Sequence, residues 1–513
     1  MKKSHEIFFD FLTLPEEYVT IVLTIKLLGK GVLNMQPKNP APLLIVIASY
    51  DANGNGINDY DPAHPELLND KTSPVFGEQW ALTTPEDCYE NFFGETGYSM
   101  LNYYKEMTNG KFWFYPAHID HPQKENALEG ILEITVPMPH PAALRNLEGY
   151  NNVLAARKAI HDIVKACDPY VDFAKYDLNG DGIVTPDELA IIILNAGYEN
   201  SSTKPDLEYS TVREENGPIP SHRYMVHGTS QNTDVEMRGG VRIVKVSNTG
   251  EMNAVGPMPI GTPAHELAHN LGAQDMYCRF TPPDDRVFGW PIPNQFSLMS
   301  RGNNRGKGRM PTYIDPYQRI YLGFSEEEIA ETDGIYTLYS TMSGKYKALK
   351  IPTVNPDEYI LAEVRLKEGF ESELTDGDAK GGVVFWHIDE KVNSEWFMKA
   401  QCVSSNRPNG NPRHDLGNAV RLRNTFEEIT DENGNLVKYG PLFKMEKNVA
   451  EDPFFYKSND PKTAIYDSSM FCGAASGSYG LNHFPEGVSE DWKLVVEVLD
   501  EPGAEMRIKI TRG

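Results

Sequence analysis

His265 and His269 stand four residues apart with Glu266 between them, in the run His265-Glu266-Leu267-Ala268-His269-Asn270-Leu271-Gly272-Ala273-Gln274-Asp275. On a helix, positions i and i+4 share a face, so the two imidazoles can each bring a nitrogen to one zinc ion at about 2.0–2.1 Å. Glu266 is one residue off that face. Its carboxylate is placed for a water beside the ion rather than for the ion itself, which is where a general base is needed. Gly272 lets the chain leave the helix through a left-handed conformation that a Cβ would resist. The turn would send Asp275 back toward the histidines as a third ligand and leave a fourth position open to water, as in a catalytic zinc site. No Glu lies between Glu266 and Glu326 to compete for the third place, and Cys278, whose thiolate also binds zinc, is the alternative. The bland reading is a helix with Leu267, Ala268 and Leu271 in the core and two structural histidines; it leaves the added Gly and Asp unexplained.

A second constellation is Asp177-Leu178-Asn179-Gly180-Asp181-Gly182-Ile183-Val184-Thr185-Pro186-Asp187-Glu188. Asp177, Asn179, Asp181 and Glu188 occupy positions 1, 3, 5 and 12 of a calcium loop, Gly182 the sixth, and the Ile183 carbonyl the seventh. Hard oxygen ligands at alternate residues wrap one Ca²⁺; Mg²⁺, which keeps its waters, suits such a ring less. Residues 152–167 read as an amphipathic helix before the loop and 191–194 as a buried strand after it. The expectation is one structural calcium site fastening helix to sheet, not a paired EF-hand sensor. Asp51-Ala52-Asn53-Gly54-Asn55-Gly56-Ile57-Asn58-Asp59 repeats the first half of the pattern, but Pro62 stands where the closing carboxylate belongs. A weak ion site and a plain Asn/Gly turn both stay open there.

The motif His-Glu-x-x-His-x-x-Gly-x-x-Asp with Tyr277 after it, and Ser297-Leu298-Met299-Ser300 downstream, resembles the immune inhibitor A type of secreted zinc metalloproteases within the metzincin group. Further similarity lies in Tyr103-Tyr104-Lys105-Glu106-Met107-Thr108-Asn109-Gly110-Lys111-Phe112, Asn195-Ala196-Gly197-Tyr198, Pro220-Ser221-His222-Arg223, Gly323-Phe324 and Trp386-His387-Ile388-Asp389-Glu390, covering most of residues 43–500. The resemblance implies a zinc endopeptidase acting on protein or peptide substrates, secretion, and Met299 as the Met-turn methionine beneath the zinc ligands. It also makes residues 241–246 a candidate for pairing with an extended substrate backbone, against the alternative of a simple edge strand. Relatives of that type usually carry a leader and a long propeptide. Here Asp10, Glu16, Glu17 and Lys26 interrupt the apolar runs that follow Lys2 and Lys3, a poor signal peptide with little room for such a propeptide before the first strand.

The elements needed to hold these residues point to an α+β chain. Its 513 residues and 40% hydrophobic content suffice for two or three domains. We expect a leader or partly disordered segment over 1–41, then a metzincin-like zinc protease domain over 42–325, with a twisted mixed sheet, an active-site helix and the calcium loop at 177–188. A β-rich, sandwich-like domain over 326–513 would follow, with 326–334 as a polar hinge. Strands are expected over 42–48, 131–136, 335–338, 346–351, 358–365, 382–388, 493–498 and 505–510, and a helix over 98–108. Thr262 and Pro263 read as cap and first residue of the zinc helix. Tyr313 or Tyr317 would be an oxyanion donor, His222 and His227 structural, and His387 with Asp389 and Glu390 either a packed strand end or a metal site. A net charge of −25 excludes nucleic acid as partner. No run approaches the roughly 18 apolar residues a membrane span needs. The five cysteines show no Cys-x-x-Cys spacing, and oligomeric state is not legible. The expected chemistry is peptide hydrolysis by a zinc-activated water with Glu266 as base. Two alternatives remain: a zinc amidohydrolase acting on a non-protein amide such as cell-wall material, and a non-catalytic calcium-stabilised binding protein.

Overall fold

The computed structural model describes residues 39–57, 78–144, 149, 152–199, 225–226, 229–253, 256–273, 294–353, 358–375, 380–389, 427–430, 436–439, 443–445, 454–458, 464–467 and 494–513. The leader expected over 1–41, Asp275, Cys278, His222, His227 and Glu390 therefore lie outside the described residues, save for 39–41.

The N-terminal half is built on a nine-stranded sheet of β1 (Ala41–Tyr50), β2 (Phe114–Pro116), β3 (Ile131–Val136), β4 (Ile183–Val184), β5 (Ala190–Glu199), β6 (Met225–Val226), β7 (Thr229–Glu236), β8 (Arg242–Asn253) and β9 (Gly256–Pro257). β1 pairs in parallel with β3 on one side and β5 on the other, β5 pairs in parallel with β8, and β7 runs antiparallel to β8. β1 is buried throughout, and its side chains alternate between two cores, as the period of a strand requires. Leu43, Ile45 and Ile47 face one core. Leu44, Val46 and Ala48 face the other, where Ile160, Ile163 and Val164 of helix Asn152–Ala166 cover the sheet. The first core is closed by α1 (Pro85–Phe93), α2 (Met100–Met107) and the helix carrying the histidines (Gly261–Asn270).

One expectation changes here. Residues 241–246 are not a free edge: β8 pairs with β7 on one side through this stretch, and on the other with β4 at 242–243 and with β5 from Ser247 on. Among the described residues β7 pairs only with β8, so it holds the edge. The alternation of 241–246 gave no means of telling a half-exposed strand at an edge from one covered by a polar neighbour.

From residue 327 the chain is β-rich, as expected. β10 (Glu327–Ile329), β11 (Gly334–Tyr339), β12 (Ala348–Pro352), β13 (Glu358–Leu366), β14 (Gly381–Asp389), β15 (Glu427–Thr430), β16 (Leu436–Tyr439), β17 (Phe443–Met445), β18 (Ile465–Asp467), β19 (Leu494–Val498) and β20 (Glu505–Arg512) form a five-stranded sheet, a four-stranded sheet and a separate hairpin. The two larger sheets enclose a common core of Ile360, Ala362, Val364, Val383 and Phe385 against Val496, Val498, Met506, Ile508 and Ile510. The polar stretch taken as a hinge instead contributes β10, which pairs in parallel with β12.

The opposite face of the five-stranded sheet joins the first core of the N-terminal half. Leu361, Val384, Trp386 and Ile388 belong to the same buried cluster as Ala264, Leu267 and Met299. The strand period thus gives β13 and β14 one face for each core, and residues 37–513 form one compact unit. Among the described residues no helix is long and apolar enough to cross a membrane.

Candidate functional site: a histidine pair clamped by carbonyls

The helix Gly261–Asn270 is buried on nearly every side, His265 and Glu266 included at 5% and 7% exposure. It begins two residues earlier than the sequence suggests: Ile260 precedes it, Thr262 lies inside its first turn, and no side chain caps it. Pro263 remains acceptable because first-turn N–H groups have no intrahelical partner to lose. The start is fixed by packing. A Cβ on Gly261 would collide with the Asn303 carbonyl oxygen.

Two imidazoles then face each other. The Nε2 atoms of His265 and His269 are 3.1 Å apart, and the rings meet edge-on at 86°. His265 Nδ1 lies 2.8 Å from the Leu298 carbonyl oxygen and His269 Nδ1 2.8 Å from that of Ala273. A carbonyl oxygen can only accept, so each Nδ1 carries a proton, and the two Nε2 atoms are left facing each other. Two lone pairs at that separation repel unless a proton or cation lies between them.

The end of the helix supplies the second carbonyl. Gly272 has φ +110°, as its place in the motif requires. Its N–H donates to the His269 carbonyl at 3.1 Å and that of Ala273 to Ala268 at 2.9 Å, which folds Ala273 back over the last turn. The first carbonyl comes from the segment containing Met299. Met299 is fully buried in the core that receives Leu267 and Ala268, and the neighbouring Leu298 carbonyl holds His265.

Strand β8 fixes the helix from the sheet side. Ser247 Oγ donates to the Glu266 carbonyl at 2.8 Å, and Lys245 Nζ donates to the His269 carbonyl, a cation at the helix C-terminal end. From α2, the Tyr104 hydroxyl donates to the Ala264 carbonyl and the Tyr103 hydroxyl to that of Thr312. None of these second partners was singled out from the sequence as part of the site; Tyr103 and Tyr104 were visible only as part of a resembling stretch.

The donor set fits zinc. Neutral imidazole nitrogens are zinc ligands, and two of them bound tetrahedrally at about 2.0–2.1 Å would stand roughly 3.3 Å apart, close to the separation here. Nδ1 protons held by backbone carbonyls are the outer partners that fix a ligand's tautomer and ring orientation. Among the described residues no three His, Cys, Asp or Glu side chains gather around one ion position, and the expected third ligand, Asp275, is outside them.

The loop 177–188 takes the turn its sequence calls for. Gly180 and Gly182 have φ +73° and +81°. Asp177 accepts from the Asp181 and Gly182 N–H groups, Asn179 from Asp181, and Asp181 from Ile183, at 2.8–3.1 Å. Glu188 folds back to accept from Leu178 N–H at 3.1 Å and from Thr185 N–H and Oγ at 2.9 Å. These hard oxygens are calcium donors in kind. A short 3₁₀ turn (Phe173–Tyr176) precedes the loop and β5 follows it, so the helix–loop–helix of a sensor is absent here. Ile183 instead pairs with Arg242 at the start of β8, the strand that contacts the histidine helix. The loop at 51–57 has the same turn, with Gly54 and Gly56 at φ +69° and +74° and Asp51 accepting from both glycine N–H groups.

Two side candidates, Tyr313 and Trp386, resolve as packing. The Tyr313 hydroxyl is 2% exposed and donates to Glu106 at 2.5 Å, so it is not an oxyanion donor. Trp386 is fully buried with Nε1 donating to Glu363 at 3.0 Å. His387 lies within β14 opposite Ile360, and Asp389 at its end opposite Glu358. Cys88 and Cys167 are free and buried, and burial pushes the Cys88 thiol up to about 12, which removes it as a thiolate ligand or nucleophile. No protein-family model matches the chain, and no curated protein matches it.

Proposed function

We propose that the protein is a zinc-dependent metalloendopeptidase of the immune inhibitor A type, secreted and acting on protein or peptide substrates, with a structural calcium ion in the loop 177–188. The observation that carries the reading is the histidine pair, with two Nε2 atoms 3.1 Å apart on rings whose other nitrogens are tied to carbonyls. His265 and His269 would hold the zinc with Asp275 as third ligand, and the calcium would sit among Asp177, Asn179, Asp181, Glu188 and the Ile183 carbonyl. Zinc so held would supply a Lewis acid and lower the pKa of a water to about 7.

The chain's own side chains do the rest. Glu266, beside His265 and shielded from bulk water, takes the proton of the attacking water and returns it to the leaving amine. The Leu298 and Ala273 carbonyls hold both Nδ1–H groups, so that Nε2 is the nitrogen each ring would turn to the ion. Edge strand β7, packed beside the helix, takes over from 241–246 the role of pairing with an extended substrate backbone.

Elemental analysis of purified protein together with casein hydrolysis tests the reading. Stoichiometric zinc and calcium are expected, with cleavage by wild type and a loss of about 10²–10⁴ in turnover for Glu266→Gln at unchanged zinc content. Bound zinc without proteolysis would move the reading to hydrolysis of a non-protein amide, and absence of zinc to the binding protein.

A further inference from the structure

We infer that Arg365 and Glu371, in the β-rich half, are positioning residues for the histidine site; this rests on the zinc reading above. Both side chains are buried, at 1% exposure, and they form a forked ion pair in which Arg365 Nε donates to Glu371 Oε2 at 2.7 Å. From this pair an unbroken hydrogen-bonded path runs to His265. Glu371 Oε1 accepts from Tyr313 N–H at 3.0 Å, the Tyr313 carbonyl accepts from Leu298 N–H at 3.1 Å, and the Leu298 carbonyl faces His265 Nδ1 at 2.8 Å. Arg365 reaches the same segment directly, donating from Nη1 to the Phe296 carbonyl at 3.1 Å. The segment that orients His265 is thus gripped at Phe296 by the cation and, through Tyr313, at Leu298 by the anion.

Two further features make this grip more than incidental packing. Taking a guanidinium and two carboxylates out of water is costly, and a core of this size could have been completed with apolar residues. The charges are instead fully committed. Arg365 also donates to Glu363 at 3.1 Å, and Glu363 accepts from Tyr346 and Trp386. Arginine's planar fork, unlike a lysine point charge, can hold Glu371 and two further oxygens in one geometry. The β-rich half therefore belongs to the metal site rather than being appended to it, and its folding sets the angle at which His265 meets the ion.

The test uses the full chain. Arg365→Lys keeps the charge and loses the fork, while Glu371→Gln keeps an oxygen for Tyr313 N–H and Glu371→Leu does not. Zinc affinity by chelator competition is expected to fall about tenfold in Arg365→Lys and Glu371→Leu and to be largely restored in Glu371→Gln, the scale of losing an outer-shell partner. The visible spectrum of the Co²⁺-loaded protein should shift in the first two and return toward wild type in the third. A lower melting temperature with unchanged zinc affinity and cobalt spectrum would mean a purely structural pair and overturn the inference. For any variant that does not fold, hydrogen exchange of the wild type decides: zinc should slow exchange at Tyr313 and within 358–375, and protection confined to 261–273 overturns the inference. A wild type that binds no zinc would instead overturn the functional reading on which it rests.

Discussion

The Tyr104 hydroxyl donates to the Ala264 carbonyl at 2.8 Å, one residue before His265. The phenol is wholly buried among Phe112, Phe114 and Phe324, so its oxygen has been taken out of water for this one bond. Burial alone raises its pKa well above the ordinary tyrosine range, which keeps it a donor at every working pH. Tyr104→Phe should cost about 1 kcal/mol, the net worth of one such bond. Calorimetry reads this as a lower melting temperature, and a melting temperature equal to wild type would mean that the bond does not hold the helix.

Gly261 gives a steeper effect from a smaller change. Its missing Cβ leaves room for the Asn303 and Gly308 carbonyls, both backbone atoms that cannot swing away. Gly261→Ala must move either the helix start or the 302–308 segment, a strain of about 1–3 kcal/mol. Because His265 lies one turn further on, casein hydrolysis should fall along with stability. Unchanged stability would show that the two segments part easily.

Calcium should act through β4 and β8. With the proposed ion bound to the loop 177–188 in the folded chain only, saturation to about 100 times the dissociation constant would add about 2.7 kcal/mol. EGTA is expected to lower the melting temperature of wild type and to leave Asp177→Ala, which lacks the first ligand, where it was. A chelator effect of the same size in both proteins would place the ion elsewhere.

Much of this was legible because it is local. The i, i+4 histidines, the positive φ of Gly272 and the glycines of the 177–188 loop follow from spacing and from the geometry of single residues. Short strand-forming runs between Gly, Asp, Asn and Pro turns located β13 and β14 to within a residue of their ends. What escaped was carried by the backbone or by distance. Leu298 and Ala273 act through carbonyls, which every residue has, so no side-chain pattern marks them. Arg365 and Glu371 are separated from His265 by about a hundred residues, and no local pattern ties them to it; β13 carries Arg365 inward and the 3₁₀ turn Gly369–Glu371 carries Glu371. The start of the helix departs from the Thr-Pro signal because that chemistry is only a local preference, and the fit of Gly261 against 303 overrides it.

Glu251 gives a prediction whose sign runs against habit. It lies near the end of β8, 1% exposed, and accepts from the N–H groups of Leu82, Thr83 and Gly197 at 2.7–3.2 Å, tying the entry to α1 to strands β5 and β8. Burial raises its pKa above the ordinary glutamate range, and the backbone donors offset only part of that rise. Between the unfolded value, about 4.3, and the raised folded value, the folded chain binds more protons than the unfolded one. Its contribution to stability is therefore full below the unfolded pKa and is lost as pH rises through the folded one. Glu251→Gln cannot titrate, and its amide N–H₂ would face backbone donors, so it should be less stable than wild type at both pH 5 and pH 7. The gap in melting temperature should be wider at pH 5, because only wild type gains a proton on the way down. A gap that narrows or stays constant between the two pH values would mean that Glu251 titrates no differently in the folded and unfolded chains.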